Sequence, residues 1–364
     1  MFVFKSDWRT NKSEMTAMKF DYVVGTGGIG KGIFFRFQED HTLGRNETRL
    51  AELADYQDFC KLHIVLHYIA ALAGRPIPLY AIGRVGEDDN GRALLALMKN
   101  SGIGTNYVFR DPHHKTMYAV CFQYPSGEGG NITTVNSASS YVSERQVLRF
   151  FEEKKPAGNG IVISVPEVPV DARICLLRKG REYGCYNAAS LLGSEVEQFI
   201  RLRAFSLIDL LAVNQEEAYA IASQLQAHTA EDYTDRCFRY LTTHNPDMTV
   251  LITCGKDGAY AYARNEKQFI PVVDHQVVNT AGAGDCFLGT VIAAMICQIP
   301  LMNKTGDKVI SSAVQLAGLS SALKVACHDT IHFSISKREL WEFANEKELT
   351  FSNDVCRRFF RDEM

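Results

Sequence analysis

The stretch Tyr22–Phe35, "YVVGTGGIGKGIFF", decides how the rest of the chain is read. Gly25, Gly30 and Lys31 fit the phosphate-loop spacing G-x-x-x-x-G-K, and Gly25, Gly27 and Gly30 fit the dinucleotide spacing G-x-G-x-x-G. Both motifs need a helix directly after the glycines, so that its first amides point at phosphate. The residues that follow, "GIFFRFQED", are aromatic and β-branched, with Phe35 and Phe37 alternating about Arg36, which is the pattern of a strand. Gly32 also stands where a phosphate loop needs Ser or Thr for magnesium. Glu47 and Glu52 lie near the distance of a ribose-binding acid, but acids are too common for that to decide anything. The stretch therefore reads as a buried strand, "FDYVVG", a Gly-rich turn and an exposed ribbon, and the chemistry lies elsewhere.

With 364 residues, 46% hydrophobic and 22% charged, the chain has ordinary globular composition and ample core. A formal net charge of -3 gives no general attraction to nucleic acid or to an anionic membrane. The ten cysteines form no C-x-x-C pair, and Cys121, Cys175, Cys254, Cys286 and Cys297 sit in apolar runs, which suits a reducing cytoplasm better than a disulfide framework. No apolar run reaches the roughly 18 residues of a membrane span. Residues 1–17 lack the uninterrupted apolar core of a signal peptide and read as a disordered extension, with Met15 and Met18 as rival starts.

Strand-like and helix-like runs alternate, the signature of a mainly parallel sheet covered by helices. "IPLYAIGRVG", "GIVISV", "GCYNAA", "LIDLLAVN" and "TVLITCG" read as buried strands. "ADYQDFCKLHIVLHYIAALAG" has helical spacing up to Gly74, "NGRALLALMKNSG" up to Gly102, and "DCFLGTVIAAMICQI" and "SSAVQLAGLSSALKVA" read as late helices. "TMYAVCFQYPSGEGGNITTV" reads as two strands about a Gly-rich turn. The expected organisation is one α/β domain over 18–340, lid segments near 32–52 and 113–135, and a helical tail over 341–364.

The strongest chemical signal is "VVNTAGAGDCFLGTVIAAMI". Gly282, Ala283 and Gly284 at a helix start leave amides bare for a phosphoryl group. Asp285 follows in the first turn, where the helix dipole favours its ionised form and it could take a proton from an attacking hydroxyl. A plain N-terminal turn would carry the same residues. "NTAGAGD" resembles the D-T-x-G-A-G-D signature of the ribokinase-like (PfkB-type) carbohydrate kinases. In the right order, "IGRVGEDDNG" resembles their G-x-V-G-x-D-x-x-G turn, "VNQEEA" their N-x-x-E, and "LITCGKDGAYAY" their T-x-G-x-x-G segment.

The resemblance covers about residues 20–335. It implies a three-layer α/β/α sandwich with a small β lid, and transfer of the γ-phosphate of ATP to a hydroxyl of a sugar-like small molecule. By the resemblance, the amides of Gly282, Ala283 and Gly284 form the anion hole and Asp285 is the base. Asn214 and Glu217 order Mg2+ and phosphates, while Thr253, Gly255, Gly258 and the helix near Ala317–Ala326 flank the nucleotide. A homodimer through the lid is also implied. Asn214 with Glu217 reads equally as a capping box, and "CGKDG" as a hairpin turn.

The acceptor end departs from the family pattern. The carboxylate usually found after the first strand is missing near Gly28, Gly30 and Lys31, and Cys60 and Lys61 replace the glycine pair of the second sugar-binding element. Asn279 replaces the signature's first Asp, which leaves a monovalent-cation site open to question. Gly28, Lys31, Asn46 and Lys61 are therefore the expected substrate contacts, with Lys31 or Lys61 meeting an anionic group. The alternative is a catalytically silent ligand-binding or regulatory protein on the same fold. Cys60, His63 and His67 share one helix face, either as a packed face or as a zinc site lacking a fourth ligand.

Overall fold

Burial on both sides dictates the central sheet. In the computed structural model, which describes residues 19–361 except 75, 127–128, 157, 226–231, 265 and 304–307, the strands run in chain order as β1 (Tyr22–Thr26), β2 (Gly30–Phe37), β3 (Ala51–Phe59), β4 (Leu79–Gly86), β5 (Ile103–Asp111), β6 (Met117–Gln123), β7 (Gly129–Thr133), β8 (Gly160–Ser164), β9 (Tyr186–Ser190), β10 (Leu210–Asn214), β11 (Thr249–Thr253), β12 (Ala259–Ala263) and β13 (Glu266–Ile270), with an outlying pair β14 (Val309–Ile310) and β15 (Thr350–Phe351). The extension expected over residues 1–17 lies outside the described residues. Successive side chains of a strand point to opposite faces. Val23, Ile161, Ile163, Leu210 and Leu251 accordingly join one apolar cluster, and Val24, Val162, Leu211 and Val250 the other. Such runs are apolar throughout because both faces are covered.

Nine strands form the sheet in the order β13-β12-β11-β10-β9-β8-β1-β4-β5, parallel except at β12, which runs against both its neighbours. Helices Lys61–Leu72, Ala283–Ile296 and Ala313–Val325 cover one face; Glu144–Lys154, Val170–Glu182 and Gln215–Ala222 cover the other. The expected three-layer α/β/α sandwich is present. Gly289 lets the first two of these helices touch, since a Cβ there would stand 2.8 Å from the Val65 carbonyl.

One expected element is corrected. The helical spacing from Ala54 onward is overridden: residues up to Phe59 form β3, and the helix begins at Lys61. The cause is the ladder, since β3 pairs antiparallel with β2 along its length. The amides of Gln57 and Phe59 are also taken by Asp329 Oδ1 (2.7 Å) and Thr330 Oγ1 (2.8 Å). The lid is a four-stranded sheet, β3-β2-β6-β7, wider than the segments expected from sequence. Past residue 340 the chain packs back onto the body: helix Lys337–Glu346 spans that position, β15 pairs with β14, and Phe359 and Phe360 are fully buried.

Asp88 fastens lid to body. It caps helix Asp89–Asn100 by accepting from Gly91 N (2.8 Å), and it accepts from Thr116 N (2.8 Å) and Thr116 Oγ1 (2.7 Å) just before β6. These hydrogen bonds outweigh the effect of burial and hold its carboxyl below the usual range. A depressed pKa contributes stability above the unfolded value and loses it as pH falls through the folded one. Asp88→Ala should lower stability at pH 7 by about 0.5–2 kcal/mol, the usual cost of a lost cap. Urea melts should show the gap from wild type narrowing below pH 4; a gap independent of pH would contradict the assignment.

Candidate active site

The carboxyl ends of parallel strands are where open α/β sheets bind ligands, and the polar residues gather there. Thr26 ends β1, and the turn after it runs beneath Glu167, three residues past the end of β8. Glu167 holds φ 77, a conformation non-glycine residues seldom adopt and one that marks functional sites. Its carboxylate accepts from the Lys61 amide (3.3 Å) at the head of helix Lys61–Leu72. Gly28 makes room for it, since a Cβ there would lie 2.5 Å from Glu167 Oε2. Burial pushes the Glu167 carboxyl up to about 7, against the pull of Lys61.

Asp285 sits in the first turn of helix Ala283–Ile296, whose cap, Gly282, takes φ 81. A side chain at Gly282 would strike the Thr330 carbonyl, 2.5 Å from its Cβ. The Ala283 amide closes a turn on the Thr280 carbonyl (3.2 Å). The amides of Gly282, Gly284 and Asp285 donate to no backbone carbonyl among the described residues, so Ala283 is the one of the three expected donors that is already engaged. The expectation that the dipole keeps Asp285 ionised is also modified. Burial raises its pKa, and Lys61 and then Lys324 draw it back down. Lys61 Nζ stands 3.4 Å from both Asp285 oxygens and keeps 29% exposure. Asp285, and after it Glu167, hold that ammonium protonated despite burial. On the lid, Asp58 accepts from Cys121 Sγ (3.5 Å), and its carboxyl is raised, chiefly by burial and in smaller part by Asp285.

Next to this cluster, Asn214 and Thr253 end β10 and β11 as register partners. Thr253 Oγ1 lies 3.6 Å from where a Gly284 Cβ would be. Asn214 and Glu217 form the reciprocal capping box: Glu217 N donates to Asn214 Oδ1 (2.9 Å), and Asn214 N to Glu217 Oε2 (2.8 Å). The other Glu217 oxygen has no hydrogen bond among the described residues, and burial raises its carboxyl while Lys61 lowers it. Gly255 (φ 57) and Gly258 (φ 87) shape the turn into β12. A cleft of about 530 Å³, lined in part by Phe34, Tyr56, Asn214 and Thr280, separates the lid from the loop before helix Ala283–Ile296.

Two expected contacts fall outside this cluster. Cys121, on the inner face of the lid, fixes the parity of its strands. Lys31, paired with Tyr118, lies on the opposite face. Asn46 is exposed in the loop between β2 and β3. Glu167 and Asp58 were missed by the sequence reading. The only signals were an acid just past a buried strand in "SVPEVP" and an acid three residues before the start of helix Lys61–Leu72. The zinc alternative has no support, since no group of three His, Cys, Asp or Glu among the described residues could hold a metal. His67 meets Ser101 Oγ (3.2 Å) and the His332 carbonyl (3.3 Å). His63 is packed without hydrogen bonds: neither ring nitrogen has a partner, and burial pushes its pKa down to about 3.

Comparison with known proteins gives this geometry its context. Residues 66–338 match the pfkB family carbohydrate kinase model. The chain is 25% identical to a ribokinase of Staphylococcus aureus over 248 residues, 68% of this chain and 76% of that one. Its fold resembles the ribokinase of Giardia lamblia (TM-score 0.70, 16% identity, 88% of this chain and 99% of that one). It also resembles a Burkholderia thailandensis nucleoside kinase in complex with inosine (TM-score 0.68, 17% identity, 89% and 97%). No helix among the described residues is long and apolar enough to cross a membrane. With the family matched over residues 66–338, most of its length, the chain belongs to the pfkB carbohydrate kinases and is an ATP-dependent enzyme of that family.

Proposed function

We propose that this kinase transfers the γ-phosphate of ATP to a hydroxyl of a sugar-like acceptor held under the lid, with Asp285 taking the hydroxyl proton. The observation that carries the reading is the convergence of Asp285, Glu167 and Asp58 beside the bare amides of one helix start. Phosphoryl transfer needs positioning and charge stabilisation more than covalent help. The loop Gly282–Gly284 with the Asp285 amide supplies donors where charge accumulates on the transferring group. A base with its pKa raised towards neutrality suits the proton transfer. Thr253, Gly255 and Gly258 border the nucleotide. Mg2+ would be held chiefly by ATP phosphates, with Glu217 and Asn214 ordering its water; the carboxylate oxygen left over from the capping box fits that role.

The acceptor end favours an uncharged, hydroxyl-rich molecule. Asp58, Glu167 and Asp285 outnumber Lys61, whose ammonium already faces Asp285. An anionic group, the partner expected from sequence for Lys31 or Lys61, would meet three carboxylates. Gly28 serves by admitting Glu167. The pairing of Lys61 with the base is also what a silent, regulatory reading has in its favour. ADP release from ATP, measured against panels of sugars, sugar acids, sugar phosphates and nucleosides, separates the two. Turnover with no acceptor class would leave the regulatory reading standing.

Pairing of two lids is supported by their outer face, where strand alternation places Ile33, Val120 and Ile132, the last 69% exposed, alongside Leu53 at 65%. Ile132→Lys should then shift the sedimentation coefficient from dimer to monomer; an unchanged value removes the lid interface.

Asp285→Asn should lower kcat by about 10²–10⁴ while leaving the melting temperature within a few degrees of wild type. Near-normal turnover would rule Asp285 out as the base. Lys61→Met removes the cation that lowers the pKa of both Asp285 and Glu167. The acidic limb of the kcat/KM profile should then move to higher pH. If Lys61 instead grips an anionic acceptor, KM for that acceptor should rise about ten-fold, equivalent to about 1.4 kcal/mol, with the limb in place.

A further inference from the structure

One buried charge has no part in the scheme above. Lys324, in the last turn of helix Ala313–Val325, is fully buried. No carboxylate lies within ion-pair distance of it among the described residues, and its Nζ donates to the backbone carbonyl of Asn279 at 2.7 Å. A buried ammonium without a counter-ion is costly unless dipoles or other charges compensate. The C-terminal end of its own helix supplies one such dipole.

The carbonyl it holds belongs to the loop that becomes the anion hole. The side chain of Asn279 accepts from the Ala281 amide (3.0 Å) and donates to the His328 carbonyl (2.6 Å). The amides of Val278 and Asn279 both donate to the Val325 carbonyl (2.7 and 3.0 Å). Ser321 Oγ donates to the Ala283 carbonyl (3.2 Å). The segment from Ser321 to Thr330 thus grips the loop Asn279–Gly284 from below, while Asp329 and Thr330 hold β3 of the lid. Lys324 is also one of the two cations that lower the Asp285 pKa.

We propose that Lys324 is an internal monovalent cation: its ammonium fixes the anion-hole loop through the Asn279 carbonyl and offsets charge gathering on the transferring phosphoryl group, so that no added monovalent ion is needed. This rests on the phosphoryl-transfer reading given above. Lys324 acts through the loop and is a positioning residue. A free monovalent cation next to the same carbonyl would be repelled by the ammonium already there, so the monovalent-cation site left open by the sequence does not fit this loop. Burial brings the Lys324 pKa down to about 8. The titratable groups around it, Cys286, Cys327, Asp58 and Asp329, all act to raise it. The charge is therefore present at pH 7 and lost as pH rises past 8.

The test needs no acceptor. Titration calorimetry would compare magnesium-ADP with and without aluminium fluoride, a mimic of the transferring phosphoryl group, in choline, potassium and ammonium chloride. For the wild type, the tightening by aluminium fluoride should agree within two-fold in all three salts at pH 7 and should decline between pH 8 and 9.5. Lys324→Met should lose ten-fold or more of that tightening in choline, recover at least five-fold of it in ammonium or potassium chloride, and show no decline above pH 8. Recovery by a small cation is a response that a purely structural lysine would not give. The assignment is overturned if the wild type needs potassium or ammonium, or if Lys324→Met keeps its tightening in choline or loses it in every salt. If Lys324→Met does not fold, the salt and pH series on the wild type decides alone. A wild type that binds magnesium-ADP but gains nothing from aluminium fluoride overturns the anion-hole reading itself, and this one with it.

Discussion

A carboxylate buried at the head of an apolar helix is the constraint around which the cleft is built. Helix Ala283–Ile296 is buried from Asp285 to its end, so the acid cannot be left to solvent. Leaving a charge there unpaired would cost several kcal/mol. Lys61 approaches from the neighbouring helix, and Lys324 adds its field from behind the loop. Glu167 and Asp58 then share the same small volume, so no carboxyl in it ionises independently of the others. Placing Asp285 there also places the lid, because Asp58 reaches the same cluster from β3.

The turns at the proposed phosphoryl end were legible because they are local. Asn214 with Glu217, Thr253 to Gly258, and Gly282 to Asp285 each combine a strand end, a turn and a helix start in one short run, and each run forms the turn its residues favour. The acceptor end is assembled from residues far apart in the chain: Asp58 at the end of a lid strand, Lys61 at the next helix start, and Glu167 after β8. No spacing rule links them. Glu167 projects into the site through a strained backbone conformation, which a lone acid between valines and prolines does not announce.

The misplaced helix start shows where periodicity alone fails. Residues 54–60 carry a spacing compatible with either element, and the choice was made by partners remote in sequence, β2 on one side and the loop 329–330 on the other. The large helices and buried strands were readable because each encodes its own burial. The face on which Lys31 lies was not legible for a related reason: the parity of a strand residue is fixed by its ladder neighbours, and for β2 those lie near residues 117–123.

The two apolar clusters differ in how much of the chain they span, and this orders the way the molecule can be made. The cluster on the side of helix Val170–Glu182 draws on residues from Tyr22 to Tyr262. The cluster on the side of helix Ala283–Ile296 runs from Phe20 to Phe360. Domains close during synthesis only once their contacting residues have left the ribosome. One face of the sheet can therefore be covered while the last hundred residues are still being added. The face that carries Asp285 must wait for the helix that brings Phe359 and Phe360, so a nascent chain is half packed long before the carboxylate cluster is covered.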